Sequence, residues 1–575
     1  MAKRVIVESS INEDNLINKA YEIFKHRVEK KSDTIVLRDK VGDLEIYFEI
    51  REGVGREGYS ISIERKSKII VTGNDWLGLL YGIGRLLREA NYDSGEFILG
   101  DFTGSSVPKK EIRGMYFATH FHNYYHEAPI EEVKEYMEDL VLWGTNILSV
   151  WFDMHHYKAI NEGSAVKMVS RIHEILDCAK RLGLKTSMTL IANEAFADSP
   201  EELRADWTLG HDNYVSQLVG HFHIELCPNK PGAVELLLKW RKEVFDSFAD
   251  ICPDYICIWP YDQGGCSCSN CKPWGSNGFL KIARLISIMA KSIFPGVKVI
   301  LSTWLFDHFT SGEWDGLEED FKKLPDWVDF ILADYPDERE YPECILENRI
   351  PGALPLVGFP EISMFGAVPW GGFGANPHPL QLQNIWNVIK DIQSGGFPYS
   401  EGIFEDINKV IFTQLYWGET DNTVEILKEY IHYEFSMGAE EDILKVLLLM
   451  EKTIFRNRVD ENRKIHNYPD FKIPWVGEQQ FIIENTESID EIYWLTQQIN
   501  EKLSKIVRNS WRWRIIILRG MIDYELYHND FKSTDRCKEA FEELTNIYFA
   551  KKGDYCVSPP TKKSIDQNRG GFSWF

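Results

Sequence analysis

No apolar run in the 575 residues approaches the length of a membrane span, so no membrane partner is expected. Basic residues are also short: 64 Lys and Arg stand against 88 Asp and Glu, for a formal net charge of −24. No Lys/Arg-rich stripe occurs. Nucleic acids and anionic bilayers are held by clustered positive charge, so neither is expected as a partner. The first ten residues carry Lys3 and Arg4 but no apolar h-region, so no signal peptide is read there. The ten cysteines form no regular disulfide framework. A reducing cytoplasm with some metal-bound thiols suits them better than secretion. There is no G-x-G-x-x-G turn, no P-loop, no G-x-S-x-G elbow and no H-E-x-x-H pair. No organic cofactor is therefore expected.

Aromatic residues are plentiful: 18 Trp, 25 Tyr and 32 Phe. Aromatic faces stack on sugars, and they also fill cores. Periodicity divides the chain into three parts. Residues 1–108 read as a small α/β domain, with alternation in Ile46, Phe48 and Ile50 and a helix capped by Asp75. Ser105 to Pro108 reads as a linker. Residues 109–420 repeat strand, loop and helix. Strands are expected at 115–118, 147–152, 186–191, 255–259, 297–303, 328–332, 354–359 and 397–399. Eight strands alternating with helices predict a (β/α)8 TIM barrel, within the α/β class. Residues 421–575 have helical spacing and predict a C-terminal helical domain.

Barrel enzymes react at the C-terminal ends of their strands. Nearly every expected strand here leads into titratable or aromatic residues. The first leads to His120 and His122, the second to Asp153, His155 and His156, and the third to Asn193 and Glu194. The fourth leads to Tyr261, Asp262 and Gln263, the fifth to Trp304 and Asp307, and the sixth to Asp334 and Tyr335. Glu361 follows the seventh, ahead of a Gly-rich loop holding Trp370. Ser400, Glu401, Glu405 and Asp406 follow the eighth. Carboxylates paired for acid/base work beside aromatic platforms are what glycoside hydrolysis requires. Asp262, Glu361 and Glu401 are the expected catalytic carboxylates. His120, Trp304, Asp334, Tyr335, Trp370 and Glu405 are the expected substrate contacts. Asp153, His155 and His156 read as polar loop groups, and Asp406 as the acidic first turn of a helix.

After Asp262 come Cys266, Cys268 and Cys271, in C-x-C-x-x-C spacing. These are three soft ligands, and Cys227 on the preceding βα-loop is the expected fourth. Four thiolates would close a tetrahedral site, so the expected metal is a structural zinc. Reduced thiols and a disulfide in this loop are the alternatives.

Four parts of the chain resemble known groups. Residues 57–61 and 71–82 resemble the small domain ahead of the barrel in β-hexosaminidases of family 20 and α-glucuronidases of families 67 and 115. Cys227-Pro228 with residues 262–271 is similar to the group that includes family 163 endo-β-N-acetylglucosaminidases. Residues 399–402 and 405–409 are similar to the last barrel strand of family 115. Residues 415–421 and Glu429-Tyr430 are similar to the helical region that comes next in these groups. The resemblance implies a glycosidase, exo-acting on imported oligosaccharides carrying an N-acetylhexosamine or uronic-acid residue. One departure matters. Family 20 enzymes carry an Asp-Glu pair after the fourth strand, and here the pair is Asp262-Gln263. Glutamine cannot donate the required proton. A non-catalytic carbohydrate-binding protein on a degenerate barrel is therefore the main rival, and a zinc hydrolase using the thiols is a third reading. A homo-oligomer stays open.

Overall fold

The computed structural model describes the chain apart from residues 1–3, 10–14, 39–41, 66–67, 101, 121–122, 207–223, 261–264, 308–309, 334–340, 363–373, 401, 454–464, 474–476, 483–487, 530–533 and 551–575. Six strands form an open sheet in the order 35–38, 4–9, 44–50, 68–73, 59–65 and 104–106. The first four in that order run parallel, and the 59–65 strand pairs antiparallel with both of its neighbours. Alternation sets the buried face: Ile46 and Phe48 go to the core with Val5, Val7, Val71 and Phe24. Asp75 caps the helix Trp76–Arg88, accepting from the Gly78 N–H. The expected linker at 105–108 is corrected in part. Gly104–Ser106 is the edge strand of this sheet, paired to Tyr59–Ile61. Three small residues carry no β signal, and only the pairing reveals them.

Eight parallel strands then close into a barrel: Ile112–Tyr116, Ile147–Trp151, Lys185–Ile191, Tyr255–Trp259, Lys298–Ser302, Phe330–Leu332, Leu356–Gly358 and Gln393–Gly396. Continuous apolar runs such as Tyr255–Trp259 are buried at every position, as a strand covered on both faces requires. The eighth strand is a correction, since Phe397–Tyr399 was expected and Gln393–Gly396 is found. The reason is steric. Gly395 has φ +116°, and a Cβ there would stand 1.7 Å from the Ile112 carbonyl oxygen. The seam between first and eighth strands needs a backbone without side chains, and Gln-Ser-Gly-Gly has none of the residues that mark a strand.

The helix after the eighth strand, Asp406–Trp417, is buried along its whole length. Helices Thr423–Glu434, Glu440–Thr453, Ile489–Lys502, Trp511–His528 and Asp535–Tyr548 come after it. A hairpin of strands, Ile465–Ile473 and Gly477–Ile482, interrupts them. Among the described residues, no helix is long and apolar enough to cross a membrane.

Buried ion pairs join the three parts. Arg512, from helix 511–528, donates to Asp406 Oδ2 at 2.7 Å and to Asp139 Oδ2 at 3.1 Å. Arg27, from the first helix, pairs with Asp139 Oδ1 at 2.9 Å. Asp139 sits on the first barrel helix, Ile130–Leu142. Glu57 accepts from Arg113, in the first barrel strand, and from Asn146, just ahead of the second.

Candidate functional site

Aromatic residues stand at the C-terminal ends of six barrel strands. Tyr116, Trp151 and Trp259 are the last residues of the first, second and fourth strands. Trp304, Phe359 and Tyr399 lie just beyond the fifth, seventh and eighth. Trp259 and Phe359 come from strands that are three places apart, yet their ring centroids lie 4.9 Å apart. Such strands meet only across the interior, so these rings floor the barrel mouth. Phe359 also meets Tyr116 at 5.3 Å and Tyr399 at 5.3 Å, and Trp304 packs on Trp259 at 5.4 Å. His120 extends the surface. Its ring lies 4.6 Å from Trp151, and its Nδ1 is 3.1 Å from the Tyr116 hydroxyl.

Carboxyl groups sit around this floor. Glu361 is buried, and its backbone pairs with Tyr399 where the seventh and eighth strands end. Glu405 is 1% exposed, at the start of the helix that follows the eighth strand. Its Oε2 accepts from the Ser400 hydroxyl at 2.9 Å. Its Oε1 has no hydrogen-bond partner among the described residues. Burial raises the Glu405 carboxyl above its ordinary range, against the opposing pull of Lys409 and Ser400. Burial also lowers the Lys409 ammonium to about 8; its Nζ donates to the hydroxyls of Tyr125 at 2.8 Å and Tyr136 at 3.3 Å. Trp304 is 7% exposed, and its indole N–H is buried with no acceptor among the described residues. A buried donor and a buried acceptor left over at one barrel mouth are what a polyhydroxylated ligand satisfies.

A second knot lies on the side of strands two and three. His155 Nδ1 contacts Asp153 and lies 3.1 Å from Glu194 Oε1, while His156 Nδ1 is 3.4 Å from Asp153 Oδ2. Asp153 and Glu194 are 4% and 0% exposed, so these are not solvated loop groups. The sequence shows the residues but not their convergence, which depends on the register of two neighbouring strands.

The thiols also converge. Cys227 Sγ lies 3.7 Å from the sulfurs of both Cys268 and Cys271. With Cys266, all four sulfurs lie within 4.8 Å of one another. All four are free of disulfides, so the disulfide alternative is not what is seen. Hydrogen bonding among the thiols draws the Cys227 sulfur below its ordinary range and, through the contact with Cys227, pushes those of Cys266 and Cys271 above it.

The structure therefore brings Glu361, Glu405, His120 and Trp304 to the barrel rim and gathers the four cysteines beside it. Asp262, Glu401, Asp334, Tyr335 and Trp370 lie outside the described residues. Tyr116, Trp151 and Trp259 are additions to the expected set, which was drawn from the loops beyond the strands. Each is the aromatic last residue of its own strand, which is a signal the sequence does contain. Asp406, by contrast, is structural: Arg512 and Tyr430 both donate to it.

No protein-family model and no curated protein sequence matches the chain. Solved structures do match in fold. A family 115 4-O-methyl-α-glucuronidase described as specific for decorated arabinogalactans superposes with TM-score 0.56 at 11% identity, over 95% of this chain and 76% of that one. A family 138 enzyme targeting pectin rhamnogalacturonan II gives TM-score 0.55 at 11% identity, over 98% and 90%. A family 89 glycoside hydrolase from Clostridium perfringens, bound to an acetamido-dideoxynojirimycin, gives 0.59 at 13% identity, over 92% and 64%. The chain thus has the fold of these glycoside hydrolases: an α/β sheet, a (β/α)8 barrel and C-terminal helices in one order.

Proposed function

We propose that the chain is a glycoside hydrolase. It would act from the chain end on imported, cytoplasmic oligosaccharides that carry an N-acetylhexosamine or uronic-acid residue. The observation that carries this reading is the aromatic floor at the C-terminal mouth of the barrel, ringed by buried carboxyl groups. Aromatic faces hold a pyranose ring, and a carboxylic acid beside them can donate a proton to a glycosidic oxygen. Glu361, Glu401 and Asp262 are assigned to the reaction. One protonates the leaving oxygen, and a second attacks the anomeric carbon or activates water. Glu405, Trp304 and His120 hold the sugar. The glucuronidase among the fold neighbours and the acetamido-sugar mimic bound to another support this class.

The test is a panel of aryl glycosides of N-acetylhexosamines and uronic acids. Glu361→Gln, Glu401→Gln and Asp262→Asn are each compared with wild type. Loss of a general acid or its partner costs about 10²–10⁴-fold in rate. Full activity in all three variants would end the assignment.

Gln263, at the position of the family 20 acid, favours a second reading, a carbohydrate-binding protein without catalysis. Calorimetric sugar binding with no turnover on any member of the panel would establish it.

A further inference from the structure

We infer that Cys227, Cys266, Cys268 and Cys271 hold one zinc ion as four thiolates, and that this ion clamps the loop after the third barrel strand to the loop after the fourth. The inference stands apart from the glycosidase reading.

The spacing of the sulfurs is the first argument. Four ligands about 2.3 Å from a tetrahedral zinc lie about 3.8 Å from one another. Cys227 Sγ is 3.7 Å from two of its neighbours. A disulfide would need about 2.05 Å. Cys227 is 41 and 44 residues from Cys268 and Cys271, so this is a tertiary site and not a turn that happens to hold cysteines.

The surroundings are the second argument. Four thiolates and one dication leave two negative charges in a mostly buried site. Neighbouring donors answer them. Asn229 Nδ2 donates to Cys271 Sγ at 3.1 Å, and Lys281 Nζ holds the Asn229 Oδ1 at 3.0 Å. Lys230 lies close by, donating to the Arg204 carbonyl at 2.6 Å and to Asp206 Oδ1 at 3.0 Å. Such outer partners orient ligands and temper their charge.

The third argument is what is tied together. The Cys227 N–H donates to the Leu203 carbonyl at 2.9 Å, and the Ser267 N–H to the Asp206 carbonyl at 2.8 Å. Ala205 N–H donates to the Glu225 carbonyl at 2.9 Å. All four coordination positions belong to sulfur, so the metal has no open site and its role is to hold, not to react.

The experiment uses the full chain, purified without chelators. Elemental analysis should give one zinc per chain. Exchange for cobalt(II) should give thiolate-to-metal charge transfer and the intense visible bands of a tetrahedral site. Cys268→Ser and Cys227→Ser, each checked for folding by far-ultraviolet circular dichroism, should lose the metal or shift those bands. Two results would overturn the inference. One is a folded wild type without zinc that takes up no cobalt and whose four thiols all react with a thiol reagent. The other is a cobalt spectrum unchanged in both serine variants.

Discussion

The Ser400 hydroxyl donates to Glu405 Oε2 at 2.9 Å, while Oε1 of the same buried carboxyl keeps no partner among the described residues. Burial raises the folded pKa of Glu405 above 4.5. Between the ordinary value and the folded one, the folded chain holds a proton that the unfolded chain has released. Its contribution to stability therefore falls as pH rises through that window. Glu405→Gln should remove this decline. Its melting temperature relative to wild type should climb as pH rises above 4.5, read by thermal melts at several pH values. A difference that stays flat or falls would contradict the buried, proton-holding carboxyl.

Trp304 offers its buried indole N–H toward no protein acceptor among the described residues. Trp304→Phe keeps an aromatic face against Trp259 and deletes the donor. A hydrogen bond to a neutral partner is worth about 0.5–1.5 kcal/mol, so sugar affinity should drop about two- to thirteenfold. Titration calorimetry with the best ligand of the panel measures it. An unchanged affinity would remove Trp304 from the binding surface, leaving it as core.

Two glycines separate clash from strain. Gly395→Ala puts a methyl group 1.7 Å from a backbone oxygen, at φ +116°. The barrel seam would have to open, costing about 3 kcal/mol or more. Gly232→Ala has φ +86° and nothing within 4 Å of the added carbon. It should cost only the left-handed penalty, about 1–2 kcal/mol. Denaturant melts of the two variants should rank in that order.

Arg512→Met leaves Asp406 without its guanidinium partner and weakens the hold on Asp139. Stranding one side of a buried pair costs about 3–5 kcal/mol. Adding Asp406→Asn should restore part of that loss, because the uncompensated charge is gone. A double-mutant cycle in denaturant reads the coupling, and strict additivity would mean the pair is not coupled.

Much of this fold was readable because its elements repeat. The run Tyr255–Trp259 announces itself by five buried apolar residues, and Asp75 by its position ahead of a helical stripe. Gln393–Gly396 and Gly104–Ser106 do not, since their place is set by a neighbouring backbone and not by their own side chains. The four cysteines could be grouped from spacing and loop adjacency, and their sulfurs meet. The knot of Asp153, His155, His156 and Glu194 could not, because two strands must be in register before those groups touch. The aromatic floor depends on a contact across the barrel, which no local pattern encodes.

Asp139 faces Arg27 with one oxygen and accepts from Arg512 on the other, so one barrel carboxylate is shared by the first and last parts of the chain. Cutting the barrel free at either side would take from Asp139 one of its two guanidinium partners. The stretches before and after the barrel are therefore expected to unfold together with it, as one cooperative unit. Heating should produce a single calorimetric transition, and a truncation that removes either flank should yield aggregates in place of a smaller working barrel.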